Sequence, residues 1–85
     1  MKKEFQIISE LIKNNTRVLD VGCGDGVLMK HLKDTKKIDA RGLEISKKNV
    51  QICISKGLSV IEGNAENDLQ QFPNLSFDYV ILSQT

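Results

Sequence analysis

The sequence has few of the residues that mark several protein classes. Its 85 residues contain no tryptophan, one proline, two cysteines and one histidine. Two cysteines are too few for a disulfide scaffold and are typical of a protein of the reducing cytoplasm. Because Cys23 and Cys53 are far apart in the sequence and only one histidine accompanies them, no zinc-ligand set is expected. The sequence therefore predicts a cytoplasmic protein without a structural metal.

Long apolar runs and an excess of charge of one sign are also missing. The longest apolar run is Tyr79–Leu82, whereas a membrane-spanning helix needs roughly 20 apolar residues. Twelve basic and eleven acidic side chains leave a net charge of +1, so charge does not indicate a nucleic-acid surface. With 40% apolar and 27% charged residues, the composition is that of one ordinary globular domain over residues 1–85.

Apolar spacing and turn residues predict helices alternating with strands. The first helix, over residues 3–14, has an apolar side made of Phe5, Ile8, Leu11 and Ile12. Strands are predicted over 17–21, 38–43, 58–61 and 77–83, and a second helix over 27–33. A third helix is predicted to begin after Ser46 and end at Gly57, with Val50, Cys53 and Ile54 turned inward, and a short helical turn is predicted before Pro73. This alternation predicts an α/β fold, a Rossmann-like parallel sheet with flanking helices.

The most specific pattern is the glycine-rich turn after the first strand, DVGCGDG over residues 20–26. Its alternating glycines allow a tight turn and the close approach of a ligand to the backbone. A dinucleotide-binding fingerprint would need its third glycine at position 27, which is Val27. The acidic Asp20 also suits a positively charged ligand better than a pyrophosphate. The spacing thus argues against an NAD-binding module, which is kept as the weakest alternative.

Glu44 supplies a second signal, because it follows the second predicted strand. A carboxylate at that end of a parallel sheet can accept hydrogen bonds from both hydroxyls of a ribose. Taken alone, Glu44 would be an ordinary charge at the end of a strand. Its combination with the glycine-rich turn favours a nucleoside ligand.

These motifs resemble those of the class I S-adenosylmethionine-dependent methyltransferases. Residues 20–26 are similar to the first motif of that family, and Glu44 stands where its ribose-binding acid stands. Residues 63–66 are similar to the segment that flanks the adenine, and residues 77–81 to the fourth strand. The stretches 17–26, 41–46, 57–63 and 76–85 resemble most closely one branch, the MetW-type methionine biosynthesis proteins.

The resemblance implies S-adenosylmethionine, or its product S-adenosylhomocysteine, as the cofactor. The implied cofactor-binding residues are Asp20, Gly22, Cys23, Gly24, Gly26, Glu44, Ile45, Asn64, Ala65, Glu66 and Ser83. Many family members carry aspartate where this chain has Asn64, whose side-chain oxygen can still accept a hydrogen bond from the adenine amino group. As a turn-forming residue after Gly63, Asn64 has an equally good structural explanation. No catalytic residue is named.

The family's complete fold is similar to a seven-stranded sheet of order 3-2-1-4-5-7-6, which at about 30 residues per βα unit needs far more than this chain. We therefore expect a single partial domain, the cofactor-binding half, with strand order 3-2-1-4. Its fourth strand would be an apolar edge, through which the fragment is expected to self-associate. Membrane and nucleic-acid partners are not expected.

The resemblance implies a methyltransferase-like protein of methionine biosynthesis with an unspecified acceptor. The alternative is a non-catalytic regulatory or partner-binding protein that acts with a homoserine O-acyltransferase.

Overall fold

The computed structural model describes residues 1–71 and 77–84. That part of the chain forms four strands that alternate with helices, as the sequence predicts. The elements in chain order are α1 (Lys3–Leu11), β1 (Arg17–Val21), α2 (Val27–Lys36), β2 (Asp39–Glu44), α3 (Lys47–Ser55), β3 (Ser59–Glu62), α4 (Ala65–Asp68), a 3₁₀ turn (Leu69–Gln71) and β4 (Tyr79–Leu82).

The four strands form one parallel sheet of order β3-β2-β1-β4. β1 is central, and its Val18 is level with Ala40 of β2 and Tyr79 of β4. Parallel neighbours require a crossover connection, and α2 and α3 provide the crossovers from β1 to β2 and from β2 to β3. The predicted fold class and strand order are confirmed.

One face of the sheet, the helix-covered face, carries α1, α2 and α3. Val18 of β1 packs there with Phe5 of α1 and Leu28 of α2. A second cluster on this face contains Met29 of α2 and Cys53 of α3. Ala40 packs against both clusters, which places the three helices on the same side of the sheet. This face holds most of the buried core.

The other face, the open face, has much less cover. Leu19, Val21 and Leu43 are buried there, with Ala65 and Phe77 packed against them. Residues that are level in neighbouring parallel strands point to the same face, so Val80 and Leu82, level with Leu19 and Val21, also lie on the open face. They are 61% and 67% exposed. The β4 end of the open face is therefore an uncovered apolar surface.

Local signals in the sequence explain most element boundaries. The Ser46 side chain accepts a hydrogen bond from the Asn49 N–H at 3.2 Å and caps α3, and Gly57 follows α3 with a φ of +79°, both as predicted. The bounds of β1 are those predicted, and the bounds of the other three strands differ from the predictions by one or two residues. The helical turn after Asn64 is confirmed as far as residue 71, whereas Pro73 and residues 76 and 85 lie outside the described residues.

Three helices lie where they were predicted, but four details of those predictions were wrong. α1 ends at Leu11 rather than at residue 14, because the backbone of Ile12 is extended. Leu11 is 73% exposed and Ile54 is 59% exposed, although both were predicted to face inward. The buried positions of α1 and of α3 form a narrow stripe along each helix. Leu11 and Ile54 lie beside these stripes and not within them. α2 continues to Lys36, beyond the predicted end at residue 33.

Candidate functional site

The glycine-rich turn joins β1 to α2 at the carboxyl edge of the sheet. Gly22, Gly24 and Gly26 have φ values of +72°, +60° and +87°, a region that side chains other than glycine rarely adopt. At Gly26 there is also no space, because a Cβ atom would stand 2.5 Å from Leu58 Cδ1. The spacing of the three glycines is therefore needed to bring the chain from β1 into α2 against α3.

The Glu44 carboxylate joins the turns that follow β1 and β2. It is buried, and its Oε1 accepts a hydrogen bond from the Gly24 N–H at 2.8 Å. Its Oε2 accepts one from the Ser46 N–H at 2.9 Å. Each carboxylate oxygen has a further lone pair, so Glu44 can still accept hydrogen bonds from a ligand. Its binding to ribose hydroxyls stays a prediction.

Asp20 and Ser83 form a second polar pair beneath the glycine-rich turn. The Ser83 hydroxyl lies within hydrogen-bonding distance of Asp20 Oδ1, to which it donates, and 3.1 Å from the Gly22 carbonyl oxygen. Asp20 has no exposed surface, and within the described residues its Oδ2 has no hydrogen-bond partner. The second oxygen of this buried carboxyl is therefore unsatisfied.

The pKa of Asp20 is raised to about 6, and burial of the carboxyl group is the main cause. The hydrogen bond from Ser83 lowers this pKa, and the negative charge of Glu44 raises it. Keeping a carboxylate in such a place opposes folding. Buried carboxyl groups with shifted pKa values are more frequent at functional sites than elsewhere. Asp20 thus places a negative charge under the glycine-rich turn, and this charge destabilises the folded state.

A cleft of about 160 Å³ opens where β1 and β2 end. In parallel α/β sheets, ligands bind outside the carboxyl ends of the strands, at the point where the strand order reverses. Here the order reverses between β1 and β4, because β2 and β3 lie on one side of β1 and β4 lies on the other. The cleft is lined by Val21, Gly22, Leu43, Glu44, Ile45, Gly63, Asn64, Ala65 and Gln84.

Five of the predicted cofactor residues line this cleft, and the others do not. The five are Gly22, Glu44, Ile45, Asn64 and Ala65. Five more lie in or under the glycine-rich turn and are mostly buried: Asp20, Cys23, Gly24, Gly26 and Ser83. Glu66 is exposed on α4. Sequence reasoning missed Gln84, although its position directly after the predicted β4 could have indicated it.

Asn64 is the N-cap of α4. Its Oδ1 accepts a hydrogen bond from the Asn67 N–H at 2.9 Å, and its own N–H donates to Asp68 Oδ2 at 2.9 Å. The structural explanation of Asn64 as a turn-forming residue is therefore confirmed. Its contact with adenine stays a prediction.

The two cysteines pack behind the turn. Both thiols are buried and free, and Cys53 donates to the Gly24 carbonyl oxygen at 3.3 Å. Burial is the main cause that raises the pKa of each thiol, which opposes a nucleophilic role.

Over residues 1–71 and 77–84, no three His, Cys, Asp or Glu side chains come together as a metal site requires. No helix in that part of the chain is long and apolar enough to cross a membrane.

Comparison with known proteins identifies the family. The profile described as "Methionine biosynthesis protein MetW" matches residues 2–85. The chain belongs to the MetW family. A curated relative, the "Bifunctional methionine biosynthesis protein MetXA/MetW" of Rhodopirellula baltica, is 33% identical over 86 residues, which cover 92% of this chain and 14% of the relative. The chain thus spans about a seventh of that protein's length.

Solved structures confirm the class I methyltransferase fold. A SAM-dependent methyltransferase from Archaeoglobus fulgidus is 27% identical with a TM-score of 0.75, and the match covers 91% of this chain and 34% of that one. A SAM-dependent methyltransferase from Thermotoga maritima is 29% identical with a TM-score of 0.73, over 93% and 34% of the two chains. TrmK of M. capricolum, solved with S-adenosylhomocysteine, is 22% identical with a TM-score of 0.75 over 94% and 39%, and supports the fold alone. This chain spans about a third of each.

Proposed function

We propose that the protein binds S-adenosylmethionine or S-adenosylhomocysteine in the cleft at the ends of β1 and β2. The observation that carries this proposal is the Glu44 carboxylate, which is buried at the cleft and keeps lone pairs for further hydrogen bonds. Its oxygens would accept the two ribose hydroxyls. Apolar surface from Leu43, Ile45 and Ala65 is suited to the faces of an adenine ring.

The charge of the site is also suited to this cofactor. When bound, S-adenosylmethionine supplies a methyl group on a positively charged sulfonium. Asp20 and Glu44 concentrate two acidic side chains at the glycine-rich turn, whereas phosphate ligands prefer helix N–H groups without carboxylates. Methyl transfer by in-line displacement depends chiefly on positioning, so the task of these residues is to bind and orient the cofactor. We propose S-adenosylmethionine-dependent methyl transfer within methionine biosynthesis as the activity.

Binding can be tested by calorimetric titration with S-adenosylhomocysteine. Loss of charge-assisted hydrogen bonds costs about 1.5–3 kcal/mol, so Glu44→Ala should weaken binding roughly ten- to hundredfold. Glu62→Ala is the matched control, because Glu62 is level with Glu44 at the end of β3 but exposed, and it should bind as the unchanged protein does.

Glu44 also holds two backbone N–H groups, so the fold of its variant must be checked by thermal unfolding. Glu44→Gln keeps one side-chain acceptor and provides a second variant, with an expected affinity between those of the unchanged protein and Glu44→Ala. Equal affinities for all three proteins would refute the assignment of Glu44.

The relative from Rhodopirellula baltica favours a second candidate function. In that protein a MetXA part and a MetW part form one bifunctional chain, which supports a partner-binding role for the MetW part. We propose a homoserine O-acyltransferase as the partner, with the bound cofactor acting as a signal. Acyl transfer by that enzyme, measured with and without this protein and S-adenosylmethionine, separates the two functions. A change that requires both additions supports regulation, and no change contradicts it.

A cytoplasmic location remains a prediction from the sequence. The two free, buried cysteines are compatible with it.

A further inference from the structure

Positive charge is concentrated on α2 and α3. Residues 27–37 and 46–56, which form these helices and their ends, contain seven of the ten lysines of the chain and a single acidic residue, Asp34. None of the seven lysines is buried. The chain as a whole has a net charge of only +1, so this positive charge is local. We name it the lysine surface, which consists of Lys30, Lys33, Lys36, Lys37, Lys47, Lys48 and Lys56.

Few of these charges are neutralised within the part of the chain that the structure describes. Lys30 forms a salt bridge with Asp34 at 3.2 Å, and no other lysine of this surface has a carboxylate within salt-bridge distance there. Lys33 and Lys56 donate instead to backbone carbonyl oxygens at 3.1 and 2.8 Å. These two bonds run from α2 to the residue after α3 and from the end of α3 to the turn before α2. The lysines of the two helices therefore form one surface, on which ammonium groups are held in place with their charge uncompensated.

Lys47 and Lys48 carry charges that oppose the fold. They are the first two residues of α3, both are exposed, and no acidic residue accompanies them in the first helical turn. The amino-terminal end of a helix carries a partial positive charge, so lysines there destabilise the helix and acidic residues stabilise it. The stability of α3 therefore does not explain these two lysines, whereas a contact with an acidic group of another molecule would.

The composition of the lysine surface favours a protein over a nucleic acid. Arginine binds phosphate groups through two parallel hydrogen bonds, and aromatic side chains stack on bases, but the surface contains neither residue type. Ile54 is 59% exposed and lies two turns after Lys47, on the same face of α3, where it offers an apolar contact to a protein partner. Because the whole chain is almost neutral, an acidic patch of limited size matches this surface better than a long polyanion does.

We propose that the lysine surface is the docking surface for an acidic region of the partner protein, the homoserine O-acyltransferase. This inference rests on the second candidate function. Lys56 donates to the Asp25 carbonyl oxygen in the glycine-rich turn, so a partner on this surface would lie against the turn that borders the cofactor cleft. Complementary charges chiefly raise the rate of association and make that rate depend on salt.

The test reverses two charges, in the variant Lys47→Glu/Lys48→Glu. Surface plasmon resonance with the acyltransferase, in the presence of S-adenosylmethionine, should show association slowed on the order of tenfold at low salt and a weaker dependence on salt. The melting temperature should be equal or higher, because glutamates suit the start of α3, so slower association cannot be attributed to unfolding. Lys2→Glu/Lys3→Glu is the matched control. It reverses the same charge at the start of α1, which packs on the β4 side of α2, and should change the rate less than about twofold.

Three results would overturn the inference. The rate could be unchanged in Lys47→Glu/Lys48→Glu, or it could fall equally in both double variants, which would reflect net charge alone. Transfer RNA or vesicles of anionic lipid could also bind at physiological salt and lose this binding in Lys47→Glu/Lys48→Glu, which would make a polyanion the occupant. Failure of the unchanged protein to bind the acyltransferase at all would refute the second candidate function as well, so the two failures are distinguishable.

Discussion

The two faces of the sheet differ in how deeply their apolar side chains are buried. On the helix-covered face, Val18, Leu28 and Leu32 are almost completely buried between the sheet and its helices. On the open face at β4, Val80 and Leu82 remain largely exposed. Asp20 lies on the same face as Val18, because side chains of a strand alternate. The covered face therefore stabilises the fold and supports the site, whereas the β4 part of the open face has apolar surface for a further contact.

Paired leucine substitutions give the largest expected difference between the faces. Leu32→Ala leaves a cavity in the covered core, and such changes cost about 2–5 kcal/mol, a large part of the stability of a domain of this size. Leu82→Ala removes a largely exposed side chain, and we expect a change below about 0.5 kcal/mol. Urea unfolding of both variants measures the difference. If Leu82→Ala lowered the free energy of unfolding as much as Leu32→Ala does, the open face would be covered at β4.

Substitution of Asp20 tests whether the helix-covered face contains a group that serves the site and lowers the stability of the fold. The pKa of Asp20 is about 6 in the folded protein and 3.8 in its ordinary environment, so the folded state holds the proton more strongly. Its contribution thus lowers stability as the pH rises from about 4 to about 6, and at about 1.4 kcal/mol per pKa unit the loss is on the order of 3 kcal/mol. Asp20→Asn keeps an oxygen for the Ser83 hydroxyl and removes this loss.

We therefore expect Asp20→Asn to be more stable than the unchanged protein at pH 7 and to lose that advantage near pH 4. Urea unfolding of both proteins at each pH gives the difference, in which the titration of groups that do not interact with Asp20 cancels. Asp20→Asn should also bind S-adenosylmethionine more weakly. A difference in stability that does not vary with pH would contradict the assigned burial of the Asp20 charge.

The smallest expected effects concern the open face. β4 is an edge strand with Val80 and Leu82 exposed, and such edges recruit other chains. We predict that the 85-residue chain self-associates there, and that Leu82→Lys shifts it towards monomer in concentration-dependent light scattering. Ile54→Lys changes a similarly exposed side chain on α3, 59% against 67% for Leu82, and should have no such effect. A strictly monomeric chain that melts cooperatively above about 65 °C would contradict this prediction.

Local sequence patterns explain much of the fold and part of the site. The glycine spacing, the Ser46 cap and the alternation of elements are short-range signals, and they predicted the parallel α/β sheet correctly. The strand order was predicted from the family resemblance instead. Periodicity does not show how wide a buried stripe is, which is why Leu11 and Ile54 were assigned to the core. The contacts of Gln84 with Gly24 and of Ser83 with Asp20 join residues far apart in the chain. No local pattern could show that these side chains meet.

The most direct test of the central claim is an amide NMR titration with S-adenosylhomocysteine, since it locates the bound ligand along the chain. We predict that the signals of Gly22, Gly24, Ile45 and Ala65, at the carboxyl edge of the sheet, shift on binding. Those of Arg17 and Asp39, which pair at the opposite end of β1 and β2, should remain in place. Saturable binding with shifts confined to the opposite edge, or no shifts at any ligand concentration, would contradict the account.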